Sequence, residues 1–144
     1  MIRIDTNELD KFCVQIVKMS NETENNVKAV IRKSALNIEK NAKQNLSNNK
    51  SVKTGHLMRG IGSDIKGLEA TVHTSNIKYA IMVEKGTKPH IIKPKNKKAL
   101  YWKGASRPVK QVKHPGSKAK PYLIPAFDKE KDKIIEDLNK IIKW

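Results

Sequence analysis

Four histidines, His56, His73, His90 and His114, are the side chains best suited to move a proton or hold a metal near neutral pH. They are widely separated, and no two share the short helical spacing of a metal site. Cys13 is the single cysteine, so the chain has neither an internal disulfide nor a multi-cysteine metal site. His90 and His114 lie among lysines and would be the pair to cleave RNA by acid–base chemistry if any did. The competing reading makes both of them polar loop residues. No phosphate-cradling G-x-x-x-x-G-K-[ST] run, no G-x-S-x-G elbow and no clustered pair of carboxylates is present. The expectation is a protein that is not an enzyme and needs no metal or cofactor.

Charge is the stronger signal. Residues 85–127 hold 12 of the 30 Lys and Arg and no Asp or Glu, whereas residues 1–84 hold 13 against 9 acids and residues 128–144 hold 5 of each. The net charge of +16 is therefore concentrated on one stretch, which suits an anionic partner. Lys93, Lys95, Lys97, Lys98, Lys103, Arg107, Lys110 and Lys113 are the candidate contacts, to DNA or to an acidic protein face. Tyr101 and Trp102 could stack on bases. Arg107 is the only arginine of the stretch, and base-specific readers favour arginine's bidentate fork, so sequence-specific recognition is not expected. The competing reading is a solvated loop in which Trp102 covers a core edge. Glu84 is the last acid before this stretch; it reads either as an anchor for a lysine or a neighbouring subunit, or as an exposed carboxylate at a helix end.

The elements that would carry these residues fit one domain of 144 residues. Apolar residues reach 38% and aromatics 5%, so packing against further subunits would add stability. No run approaches the roughly 18 apolar residues of a membrane span, and no signal-peptide pattern opens the chain, so a cytosolic origin and no membrane partner are expected. Residues 5–47 read as helical. Asp5 can cap with Glu8 following, Ile4 can staple onto Leu9, and Leu9, Phe12, Cys13, Ile16 and Val17 recur at helical spacing. A second phase runs through Val27, Ile31, Ala35, Ile38, Ala42 and Leu46, capped afresh at Asn21 or Glu24, which leaves two helices or one bent helix open.

A polar linker occupies 48–55, and 56–84 reads as a hairpin and a short element. Gly60 and Gly62 disfavour helix over 57–66, Lys66 and Gly67 can turn, and Leu68, Ala70 and Val72 alternate with polar residues. Residues 79–84 suit a short helix or strand that Gly86 stops. Over 85–120, Pro89, Pro94, Pro108 and Pro115 forbid a long helix, and extended pieces are expected at 90–92, 99–102 and 109–112, in a β-excursion or mobile flap. The last helix is placed at 125–143, with Pro125 at its first position, Asp128, Glu130 and Asp132 near its positive end and Lys140 and Lys143 near its negative end. Phe127, Ile134, Ile135, Leu138, Ile141 and Ile142 form its apolar stripe. The class is α+β, with long N-terminal and C-terminal helices on a small, mostly antiparallel sheet.

Four segments stand in order: TGHLMRGI from Thr54, YAIMVEKGTKPH from Tyr79, KKALYWKG from Lys97 and HPGSKAKPYLIPAF from His114. This order resembles a family of tailed-phage and prophage proteins related to gene product ten of phage Hong Kong 97, described as head–tail joining, tail-completion or minor tail components. The matching positions are Thr54, Gly55 and Leu57; Tyr79, Ala80, Val83, Glu84, Gly86 and Thr87; and Pro121, Tyr122, Leu123, Pro125 and Ala126. The stretch between Thr87 and Pro121 is longer than shorter members carry. The resemblance implies a virion protein assembled in the bacterial cytoplasm. It would form a homo-oligomeric ring between connector and tail proteins around the DNA channel. The lysine-rich flap would face DNA in the lumen or an acidic surface of the adjoining ring. The alternative is a non-sequence-specific nucleic-acid-binding module using residues 93–113.

Overall fold

Val27, Ala35, Ile38, Ala42 and Leu46 recur three to eight residues apart, and all five are buried along one face of α1 (Asn21–Asn48). The computed structural model describes residues 21–141. The helix expected around Leu9, Phe12, Cys13 and Ile16, its caps, and the contributions of Ile142 and Lys143 lie outside that range. Beyond α1 the chain forms α2 (His56–Gly60), β1 (Ile61–Lys66), β2 (Glu69–Thr74), α3 (Ala80–Lys85), β3 (His90–Ile92), β4 (Val112–His114) and α4 (Leu123–Ile141). The protein is α+β. Its strands make two separate antiparallel ribbons, β1–β2 and β3–β4.

α1 is the middle layer, with the β1–β2 ribbon on one side and α4 on another. Ile61, Ser63 and Ile65 of β1 lie opposite Thr74, Val72 and Ala70 of β2, joined through Gly67 and Leu68. This face carries the buried residues Ile61 and Thr74. Ser63 Oγ donates to Glu39 Oε2 of α1 at 2.7 Å, and Lys43 Nζ lies 2.6 Å from Oε1. Burial opposes the charge on Glu39, but the Lys43 and Ser63 bonds outweigh it and hold the carboxyl below its ordinary 4.5. On the other face His73 Nε2 meets Asp64 Oδ2 diagonally across the strands at 3.1 Å.

The contact between α1 and α4 follows a row of asparagines four residues apart. Asn37 and Asn41 donate to Glu130 Oε2 and Oε1 at 3.2 Å each, Asn45 donates to Tyr122 O at 2.9 Å, and Asn49 to Pro121 O at 2.8 Å. The order of partners makes the two helices antiparallel. Four-residue spacing keeps such a row on one helix face. Glu130, expected near the positive end of the last helix, is 4% exposed and faces α1.

Two expectations need correction. Residues 57–66 are not all extended: His56–Gly60 is a single helical turn, closed by Arg59 N donating to Gly55 O at 2.9 Å. Gly60 stands at the end of that turn, where it interrupts nothing, and the turn buries Leu57. The last helix begins at Leu123, so Pro125 is its third residue and not its first. The early start is possible because a distant side chain supplies the cap. Leu46 is 1% exposed and Leu36 is 49% exposed on the same helix. Leu46→Ala should lower the unfolding free energy by about 2–5 kcal/mol and Leu36→Ala by less than about 0.5 kcal/mol, measured by chemical denaturation.

Candidate functional site

Glu84, in the last turn of α3, is 2% exposed. Its Oε2 accepts the backbone N–H groups of Tyr122 at 2.9 Å and Leu123 at 3.0 Å, and its Oε1 accepts that of Ile124 at 3.0 Å. Pro125 has no N–H to satisfy. The orphan donors that open α4 are thus met by one carboxylate, placed where the helix dipole is positive. Burying a carboxylate is costly unless it is hydrogen-bonded, and here three donors compensate it. The reading of Glu84 as an exposed carboxylate does not hold: it is buried, and among the described residues it anchors a helix start and not a lysine. Lys120 N donates to Val83 O at 2.8 Å, which draws the incoming chain onto α3.

The other matching positions gather around this cap. Gly55, at φ 72, precedes α2, and Thr54 Oγ1 accepts the His56 N–H at 3.4 Å. His56 Nδ1 and the Tyr79 hydroxyl, at the start of α3, are 3.2 Å apart. Leu57, Ala80, Tyr122, Leu123 and Ala126 belong to one buried cluster. The Tyr122 hydroxyl has no hydrogen-bond partner. Burial pushes this phenol well above its ordinary 10.0, the Glu84 carboxylate adds to the effect, and the Thr74 hydroxyl opposes it from outside full hydrogen-bonding geometry.

From the cap the basic hairpin departs and returns. Thr87 and Ser117 exchange backbone hydrogen bonds at 3.0 and 3.1 Å, and their hydroxyls meet at 3.0 Å. The flanking glycines make that closeness possible. Gly86 has φ 72 and a Cβ there would stand 2.5 Å from Ser117 O, while Gly116 has φ 88 and its Cβ would press into Thr87 O. His90 pairs with His114, ring centroids 5.0 Å apart, so the fold unites two histidines that are distant in sequence. His90 Nδ1 donates to Lys88 O at 2.9 Å, and His114 Nδ1 accepts the Gly116 N–H at 3.0 Å. Both rings thereby brace the hairpin's base, and among the described residues no group of three metal-ligating side chains forms.

The ladder continues through Ile91–Lys113 and Ile92–Val112 and resumes at Leu100–Val109. The expected extended pieces at 99–102 and 109–112 reduce to that one bridge, and the second strand is Val112–His114. Lys93, Lys95, Lys97, Lys98, Lys103, Arg107, Lys110 and Lys113 are all exposed, and none forms an ion pair among the described residues. Trp102 is 51% exposed and does not cover a core edge. The asparagine row and the Glu84 cap are the two devices sequence reasoning missed. Asn37, Asn41, Asn45 and Asn49 were legible as a four-residue repeat, whereas nothing local to Glu84 points to residues 38–40 positions away. No family model, no curated protein and no solved structure matches this chain.

Glu84→Ala leaves two buried donors and one half-buried donor unmet and should cost about 3 kcal/mol in denaturant unfolding. Tyr122→Phe removes an unpartnered hydroxyl and should leave stability unchanged or raise it by up to about 1 kcal/mol. The raised phenol pKa means that the folded chain holds this proton more tightly than the unfolded one. Its contribution is whole below pH 10.0 and declines above it. Stability measured against alkaline pH should therefore fall less steeply in Tyr122→Phe than in the parent.

Proposed function

We propose that this chain is a structural assembly protein of a tailed phage or prophage, acting in head–tail joining or tail completion as a ring-forming subunit around the DNA channel. The observation that carries the reading is the meeting of its three motif segments. The segments beginning at Thr54, Tyr79 and Pro121 are far apart in the chain, yet they close on one another through the His56–Tyr79 contact, the Glu84 cap and a shared buried cluster. Their order then has a physical reason, since each supplies a part the others require. Further support comes from Tyr79, Ile81, Met82 and Ile124, which leave apolar side chains exposed on the two helices that the cap joins. Exposed apolar surface of this kind suits packing against other subunits.

On this reading its partners are copies of itself and the neighbouring connector and tail proteins, its place is the head–tail region of the virion, and it acts by shape and self-association. Deletion of the gene from the genome that carries it, followed by particle production and negative-stain counting, tests the reading. DNA-filled heads beside unattached or misjoined tails are expected, and a normal yield of infectious particles would overturn it. In complementation, Gly86→Ala and Pro125→Ala should reduce infectious yield more than replacement of any single lysine of the hairpin, because only the former disturb the cap and the hairpin's base.

A further inference from the structure

We propose that the outer half of the basic hairpin binds nucleic acid through its phosphate backbone, without sequence preference, and that Trp102 stacks on a base where one is unpaired. The register carries the argument. Ile92 faces Val112 and the next pairing joins Leu100 to Val109, so residues 93–99 of one strand face only 110–111 of the other. The first strand is five residues longer between those pairings. That surplus cannot enter the ladder and is extruded as a bend carrying Lys93, Lys95, Lys97 and Lys98. Just beyond it, a turn closed by Ala105 N donating to Trp102 O at 3.0 Å presents Lys103 and Arg107.

Two cationic loops therefore adjoin on one hairpin, with Tyr101 68% and Trp102 51% exposed between them. Phosphodiester chains fit this surface better than an acidic protein does. Lysine is depleted in protein–protein interfaces, whereas lysines that neutralise phosphates release condensed counterions. Exposed aromatic faces add stacking that tolerates any base. The scarcity of arginine accounts for the lack of sequence preference. The inference concerns the isolated chain and does not rest on the assembly reading.

The test is fluorescence anisotropy of the full chain with a labelled mixed-sequence oligonucleotide, single-stranded and duplex, across a range of salt, with polyglutamate as the comparison polyanion. Affinity for both oligonucleotides should fall linearly on logarithmic axes. Changing Lys93, Lys95, Lys97 and Lys98 together to alanine should reduce the duplex slope by about 3.6. Changing Lys40, Lys53, Lys66 and Lys129, which are exposed elsewhere, removes the same charge and should leave the slope near that of the parent. Trp102→Ala should weaken single-strand binding by about tenfold with little effect on the duplex. Equal slopes for the two quadruple variants would overturn the phosphate assignment, and unchanged single-strand affinity in Trp102→Ala would overturn the stacking. Polyglutamate bound as tightly as the oligonucleotides would assign the surface to an acidic protein partner.

Discussion

The carboxylate of Glu84 holds together segments that local structure alone would leave apart. A helix start exposes several backbone donors, and α4 buries its own start, with Tyr122 and Leu123 fully enclosed. No side chain adjacent in sequence reaches those donors. Glu84 arrives from α3 to accept three of them, and Pro125 presents none. The bond is therefore tertiary and secondary at once: it sets where α4 begins and also joins α3 to it. In turn α3 carries Tyr79 to His56 and α2, so the packing of the central segments depends on this one group.

The same closure explains how a long basic excursion sits in a small domain. The chain leaves the cap after Glu84 and comes back to it at Tyr122, with Gly86 and Gly116 letting the two arms touch at Thr87 and Ser117. With its ends pinned, everything between them is an insertion into a finished fold. Such an insertion adds little closure cost as it lengthens, because loop entropy grows only slowly with length. A bend such as 93–99 can be accommodated without touching the core, and mutually repelling lysines stay in water.

A second constraint is the polar seam between α1 and α4. The chain is only 38% apolar, and the seam adds hydrogen bonds between the two helices where apolar area is limited. Asn37 and Asn41 hold Glu130, while Asn45 and Asn49 hold carbonyls at the start of α4. Without Asn37 and Asn41, buried Glu130 would keep only Lys133 Nζ of its own helix, at 3.4 Å, a loss on the order of a few kcal/mol. The seam thus satisfies the polar groups buried between the helices, and the apolar row beside it supplies the burial.

Much of this was legible in one dimension. The stripe from Val27 to Leu46, the alternation over 61–74 and the stop at Gly86 follow from periodicity and glycine chemistry, which act over a few residues. The concentration of charge in 85–127 is a property of composition. The start of α4 was misplaced because its cap lies 38 residues away from Tyr122, and no local pattern encodes an acceptor at that distance. The environment of Glu84 and the pairing of His90 with His114 were likewise decided by tertiary structure, since burial and cross-strand register exist only once separate segments meet. The sequence by itself determined which residues could be helical, extended or cationic. Only the folded chain decided which of them share a bond, because hydrogen-bond partners are chosen by distance in space and not by distance along the backbone.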